Sequence, residues 1–232
     1  VANNVIYFMD KHNFYVYTGV AQTLPCTVRA FVFDNLNNKQ GQQVTAFANT
    51  AYNEVGWFYP STDSLTTDKM VVYNYVEQAW SISDLARDAW DDAAAASDLP
   101  IAVKSTDSVG YIFNHETGFD DDGSAITAFI ETADFDIADG DSFAFVRRLL
   151  PDAAFVGTSS SPSLTYSLKS RNNTDGTIAT ESTVDVSPTT DFAISNVRAR
   201  ARQMRIRVES TDLENGWRLG DVRLDVRQDG RR

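Results

Sequence analysis

Carboxylates are the residues whose clustering most invites a chemical reading. Asp120, Asp121 and Asp122 run into Gly123, and Asp134, Asp136, Asp139 and Asp141 follow at short intervals. Oxygen ligands at that density suit a hard divalent cation. The spacing does not, because the alternating acids, central Gly and closing Glu of an EF-hand loop are absent. Asp and Gly also crowd into turns for backbone reasons alone. Both clusters are therefore read as acidic loops, and no metal or cofactor is expected.

Paired carboxylates also serve glycosidases, but the acids here are too many and too loop-bound to nominate a pair. Residues 210–217, STDLENGW, echo the Asp-box turn of sialidases, except that Gly216 stands too far from Asp212. His115 beside Glu116 has the types of an oriented general base. No nucleophile or oxyanion loop accompanies it, so a hydrogen-bonded structural histidine is expected. Cys26 is the only cysteine, which excludes an internal disulfide, and it reads as a buried small hydrophobe. No enzymatic activity is expected.

Charge is distributed more tellingly than its net value of −12 suggests. Between residues 84 and 152 there are 16 acids and 4 bases; from 198 to 232 there are 10 arginines and 6 acids. The overall excess of acid argues against a nucleic-acid reader of the basic-patch kind. Arg198, Arg200, Arg202, Arg223 and Arg227 mark the C-terminal block, where Arg223 and Arg227 alternate with Asp225 and Asp229. Such alternation suits ion pairs within a sheet or between subunits, because a guanidinium grips a carboxylate at two points. Complementary blocks on one chain would let copies meet head to tail around a ring.

The elements that must carry these residues read as strands. Residues 53–82 give an aromatic run at 55–59, a second run at 70–75 and a third at 79–82, separated by turn-forming segments. Residues 27–33 alternate, with Val28, Ala30 and Val32 on one face and Arg29, Phe31 and Phe33 on the other, and are expected to form a strand. Residues 86–97 are read as an irregular connection. Beyond Pro151 the strands become Ser/Thr-rich. There Arg198, Arg200 and Arg202 share a parity with Met204, Ile206 and Val208. One face of a regular strand cannot hold both sets, so a bulge or break is expected near 202–204. The fold class expected is all-β: the C-terminal part of a β-propeller-like domain (1–140, incomplete at its N-terminus), then a small β-sandwich (141–232). No apolar run approaches the ~20 residues of a membrane span, and the start lacks the features of a signal peptide. The chain opens inside a strand-like pattern without Met, so a C-terminal fragment of a longer protein is expected.

Several long motifs point further. NEVGWFYPS, DKMVVYNYVEQAWSI, LARDAW, HETGFDDDG, FDIADGDSFAFVRRLLPD, RARARQM and GWRLGDVRLDVRQDGRR follow one another along nearly the whole chain. In that order they resemble the tail nozzle or tail hub proteins of short-tailed bacteriophages, also called tail tubular or DNA-stabilisation proteins. The resemblance implies a virion structural protein, assembled in the host cytoplasm into a ring of typically six copies. It implies an adaptor protein above, tail fibres or tip proteins nearby, and double-stranded DNA passing without sequence-specific binding. Asp120, Asp121, Asp122, Asp134, Asp136, Asp139 and Asp141 are then expected to face the lumen or an adjacent subunit, since a channel should not hold phosphate tightly. The five arginines named above are expected between subunits. Gly56 stands where the family would suggest a tryptophan between Val55 and Trp57, which implies a looser blade contact. The alternative is a carbohydrate-binding or carbohydrate-degrading tail protein on a propeller scaffold, with Trp57, Trp80 or Trp90 stacking on sugars. Burial of those tryptophans discriminates the two.

Overall fold

A computed structural model describes residues 1–92, 98–106, 108–137, 140–173, 175–188 and 194–230. The chain is all-β, built from open antiparallel sheets, and divides into two compact units, Val1–Thr117 and Gly118–Arg232.

The first unit is a series of three meanders. Strands β1 (Ile6–Met9), β2 (Phe14–Tyr17) and β3 (Ala21–Thr23) form the first. The second comprises β4 (Thr45–Asn49), β5 (Glu54–Tyr59), β6 (Lys69–Asn74) and β7 (Ala79–Ser83), paired in that order. The third comprises β8 (Ala89–Asp91), β9 (Ile101–Ser105) and β10 (Gly110–Asn114). Local chemistry sets the turns. Asn53 takes the left-handed conformation before β5, and the Asn74 side chain accepts from the backbone N–H groups of Val76 and Glu77 to start the β6–β7 turn.

Both faces of the middle meander are covered, which explains a continuous aromatic run where a half-exposed strand would alternate. On one face Val55, Trp57, Tyr59, Val71 and Tyr73 share a core with Phe14, Leu24 and Val32. On the other, Phe47, Phe58 and Val72 pack with Met70, Leu85 and Trp90. Close-packed aromatics dominate the first of these cores: the Phe14 ring lies 4.8 Å from Trp57 and 4.6 Å from Trp80.

Two expectations are corrected here. Residues 27–33 do not form a strand; the segment Arg29–Asn35 is a short helix, α1. Val28, Val32 and Leu36 recur every four residues, a spacing that also fits a helical stripe, and Val32 is fully buried. In a segment this short the two periods overlap, and the core selects the helix. Nor does Gly56 loosen a contact. Phe47, its cross-strand partner, lays its ring over the glycine so closely that a Cβ there would meet the ring at 2.4 Å and the Val71 carbonyl at 2.9 Å. The ring then stacks on Phe58 at 4.7 Å and reaches Trp90 at 4.8 Å.

The second unit holds β11 (Asp120–Asp121), β12 (Ser124–Ala125), β13 (Ala128–Glu131), β14 (Phe135–Asp136), β15 (Ala144–Leu150), β16 (Ala153–Phe155), β17 (Leu164–Arg171), β18 (Ala179–Val186), β19 (Ser195–Ala201), β20 (Gln203–Ser210), β21 (Trp217–Leu219) and β22 (Arg223–Gln228). One sheet runs β13-β20-β17-β18, with β14 also on β20; another runs β19-β15-β22. Leu164, Tyr166, Leu168, Met204, Ile206 and Val208 from the first share a single core with Ala144, Val146, Leu149, Val197, Ala199 and Ala201 from the second. The break expected near 202–204 is present. The chain bends at Arg202, so that β19 and β20 join different sheets and both turn their apolar residues inward. The expected boundary at 140/141 falls inside this unit, because β13 and β14 pair with β20, far along the chain.

Gly56→Ala is expected to destabilise the first unit by about 1–3 kcal/mol, the usual range for overpacking, and Gly56→Trp by more. Thermal unfolding with a tryptophan fluorescence readout measures both.

Candidate functional site

The acidic residues separate into two populations. Asp120 and Asp121 form β11, and Asp122 and Gly123 both take positive φ (50° and 81°) in the tight turn to β12. That is the geometry of a two-residue hairpin turn, for which Asp-Gly is a favoured pair. Asp121 and Asp122 are exposed, and among the described residues none of Asp120, Asp121 and Asp122 makes an ion pair. Asp134 belongs to the other population. It pairs with Arg171 and accepts from Arg205 Nε at 2.6 Å. Glu131 joins the same network, accepting from Lys169 Nζ at 2.8 Å and Arg205 Nη1 at 2.9 Å. Asp136 is exposed, and the Asp141 carbonyl accepts from Arg202 at 3.1 Å. Asp139 lies outside the described residues.

This network lies across β20, β17, β13 and the loop after it, and sequence reasoning missed it. Its signal was the alternation of Arg205 and Arg207 with Ile206 and Val208, which turns the guanidiniums to the outer face. The Arg205 hydrogen bond holds the Asp134 carboxyl below the usual range. Partial burial pushes Glu131 upward, but hydrogen bonds from Lys169 and Arg205 outweigh it and hold Glu131 low as well. In the first unit Asp88 behaves similarly. Burial raises it, yet the Ser105 N–H and hydroxyl, Lys104 and Thr67 together hold it down to about 2.

The C-terminal arginines also separate. Arg200 pairs with Asp229 at 2.5 Å and stacks 4.0 Å from the centre of the Phe143 ring; Arg202 donates to the Gly140 carbonyl at 2.8 Å. Arg198, Arg223 and Arg227 are exposed and make no ion pair among the described residues. All three stand on the outer face of the β19-β15-β22 sheet, opposite Val197, Ala199, Leu224 and Val226. The same face carries Arg148, opposite Asn196 and Asp225, and Arg147, which donates to Asp225 at 2.8 Å. A register shift between Val146 and Arg148 brings both β15 arginines to that side.

Residues weighed for other chemistry are occupied structurally. His115 accepts at Nε2 from Arg87 Nε at 3.0 Å, and its ring lies 4.6 Å from Trp90. Cys26 is half-buried, not fully buried as expected, and desolvation pushes its thiol up to about 11, away from nucleophilic chemistry at neutral pH. Among the described residues no group of three or more His, Cys, Asp and Glu side chains could hold a metal ion. Trp57 is 2% exposed. Trp80 and Trp90 are half-buried, and each indole N–H is spent on a backbone carbonyl, of Pro25 and Ala48 respectively, at 2.9 Å. A cavity of about 200 Å³ is lined by Tyr7, Phe47, Trp57, Trp90 and Asp92 among others. It is smaller than the ~300–1,000 Å³ typical of ligand pockets, and the Asp92 carboxylate already accepts from Thr50. No protein-family model matches this chain, and no curated protein matches it.

Because Glu131 and Asp134 are held below their ordinary values of 4.5 and 3.8, their contribution to stability is present above those values and lost as pH falls through the lower folded ones. Urea unfolding of the wild type is expected to weaken progressively below about pH 4.5, and Asp134→Asn to flatten that slope. At pH 7 the same variant is expected to cost about 1–3 kcal/mol, whereas Asp136→Asn stays within about 0.5 kcal/mol of wild type.

Proposed function

We propose that this chain is a non-enzymatic structural component of a short-tailed bacteriophage tail, of the nozzle or hub class. In that reading copies form a ring, of about six by analogy with such oligomers, that continues the portal and adaptor channel and conducts or retains double-stranded DNA. The observation that carries the reading is the ordered series of motifs along nearly the whole chain, together with an architecture in which candidate chemical groups are already spent on structure. Three successive meanders, the middle one covered on both faces, support reading the first unit as blades of a β-propeller-like domain. Two sheets sharing one core support reading the second as a small β-sandwich.

Segregated charge gives the reading its physical content. A lumen rich in carboxylates repels phosphate, and each phosphate contact avoided lowers affinity and therefore drag on a moving duplex. Virion location and the neighbouring adaptor, fibre or tip proteins belong to the same proposal. The carbohydrate reading has less support, since Trp57 is buried in the core and the half-buried Trp80 and Trp90 pack on neighbouring aromatic rings and spend their indole N–H groups on backbone carbonyls.

Negative-stain electron microscopy and mass photometry of the purified chain test the proposal. A closed ring with an axial channel is the expected result. A chain that stays monomeric across the accessible concentration range counts against it.

A further inference from the structure

We propose that the arginine face of the β19-β15-β22 sheet is a docking surface for the acidic hairpin 120–125 of a second copy of this chain. The inference deepens the ring assembly proposed above and rests on it.

The face is unusual for a chain of net charge −12. Arg147, Arg148, Arg198, Arg200, Arg223 and Arg227 all belong to it, against Asp225 as its acid. Like charges on adjacent strands repel, and such a face costs stability unless something answers it. Among the described residues only Arg147 and Arg200 of this face are answered by a carboxylate, of Asp225 and Asp229. Arg148, Arg198, Arg223 and Arg227 make no ion pair among the described residues. All the bases here are arginines, although the chain also has five lysines, and arginine is the residue that grips a carboxylate at two points in a desolvated interface. Phe145 sits in register between Arg200 and Arg227 and gives the face an aromatic centre.

The hairpin is complementary in charge and character. Its turn is fixed by two positive-φ residues, so Asp121 and Asp122 are presented rigidly and lose little freedom on binding. Apolar side chains flank it: Phe119 and Ile126 are 40% and 47% exposed. Phe119 and Val156, itself 43% exposed, both lie against Gly216. An acidic tip on an exposed apolar base is the chemistry of an interface element with a dry centre and a charged rim. Duplex DNA is the competing occupant of the arginines. The second unit as a whole has 19 acids against 14 bases, a net charge of −5, which repels a polyanion but suits a second copy that brings both signs. Hairpin and face are different surfaces, so the contact is heterologous and propagates into a ring or a filament.

Reciprocal charge reversal tests this. Arg223→Glu with Arg227→Glu forms one variant, and Asp121→Lys with Asp122→Lys the other. By sedimentation velocity at low salt, each alone is expected to associate about tenfold or more weakly than wild type, with an unchanged melting temperature because all four side chains are exposed. Equimolar mixing of the two is expected to restore association, since each reversed surface then meets a reversed partner. A wild-type ring that survives both reversals overturns the hairpin contact and leaves the ring standing. A wild-type chain that is monomeric in the same buffer overturns both. Loss without rescue on mixing overturns the contact. So does loss confined to the arginine variant when the wild-type protein captures a short DNA duplex, because phosphate is then the occupant.

Discussion

The bend at Arg202 governs the second unit. Arg198, Arg200 and Arg202 share a parity with Met204, Ile206 and Val208, and a continuous strand would have driven either arginines into the core or three apolar residues into water. Breaking the strand lets the chain change sheets, so that Val197, Ala199 and Ala201 and then Met204, Ile206 and Val208 all reach one core. The bend is held from outside by Arg202 itself, which donates to the Gly140 and Asp141 carbonyls and stacks 4.8 Å from the centre of the Phe143 ring. Its consequence is electrostatic as much as structural. Arginines of β19 go to the outer face of one sheet, those of β20 to the outer face of the other.

Those two outer faces have opposite fates. On the β20 side, Arg205 and Arg207 meet Glu131, Asp134 and Glu209, and the charges close on one another. On the β19 side, acids are scarce and four arginines stay unanswered among the described residues. The chain thus satisfies one basic surface internally and leaves a second to the outside. That asymmetry carries the assembly proposal; net charge alone does not distinguish the two faces.

The first unit depends on aromatic volume rather than charge. The central strands β5 and β6 of its middle meander are covered on both faces, and the close approach of Phe47 to Gly56 shows how tightly the second face is filled. Packing at this density leaves little tolerance for added volume. It also buries Trp57 and engages the indole N–H groups of Trp80 and Trp90 with backbone carbonyls.

Much of this was legible in residue order. Alternation and turn chemistry marked most strands, the run of acids into Gly123 read as a turn-forming loop, and the parity conflict placed a break near 202–204, because these depend on local geometry. Motif order carried the functional expectation. Other features were not legible, since they depend on partners distant in sequence. The helix Arg29–Asn35 was hidden because a seven-residue segment satisfies both periods and only the core chooses between them. The association of β13 and β14 with β20, and with it the division at Thr117/Gly118, needed pairing across some seventy residues. Asp134 and Asp121 are the same residue type in neighbouring acidic loops, yet one closes an ion network and the other faces water. Sequence by itself determined which residues carry charge and where most of the strands run. Tertiary structure alone decided which charges neutralise one another, because Coulomb energy follows distance in space and not position along the chain.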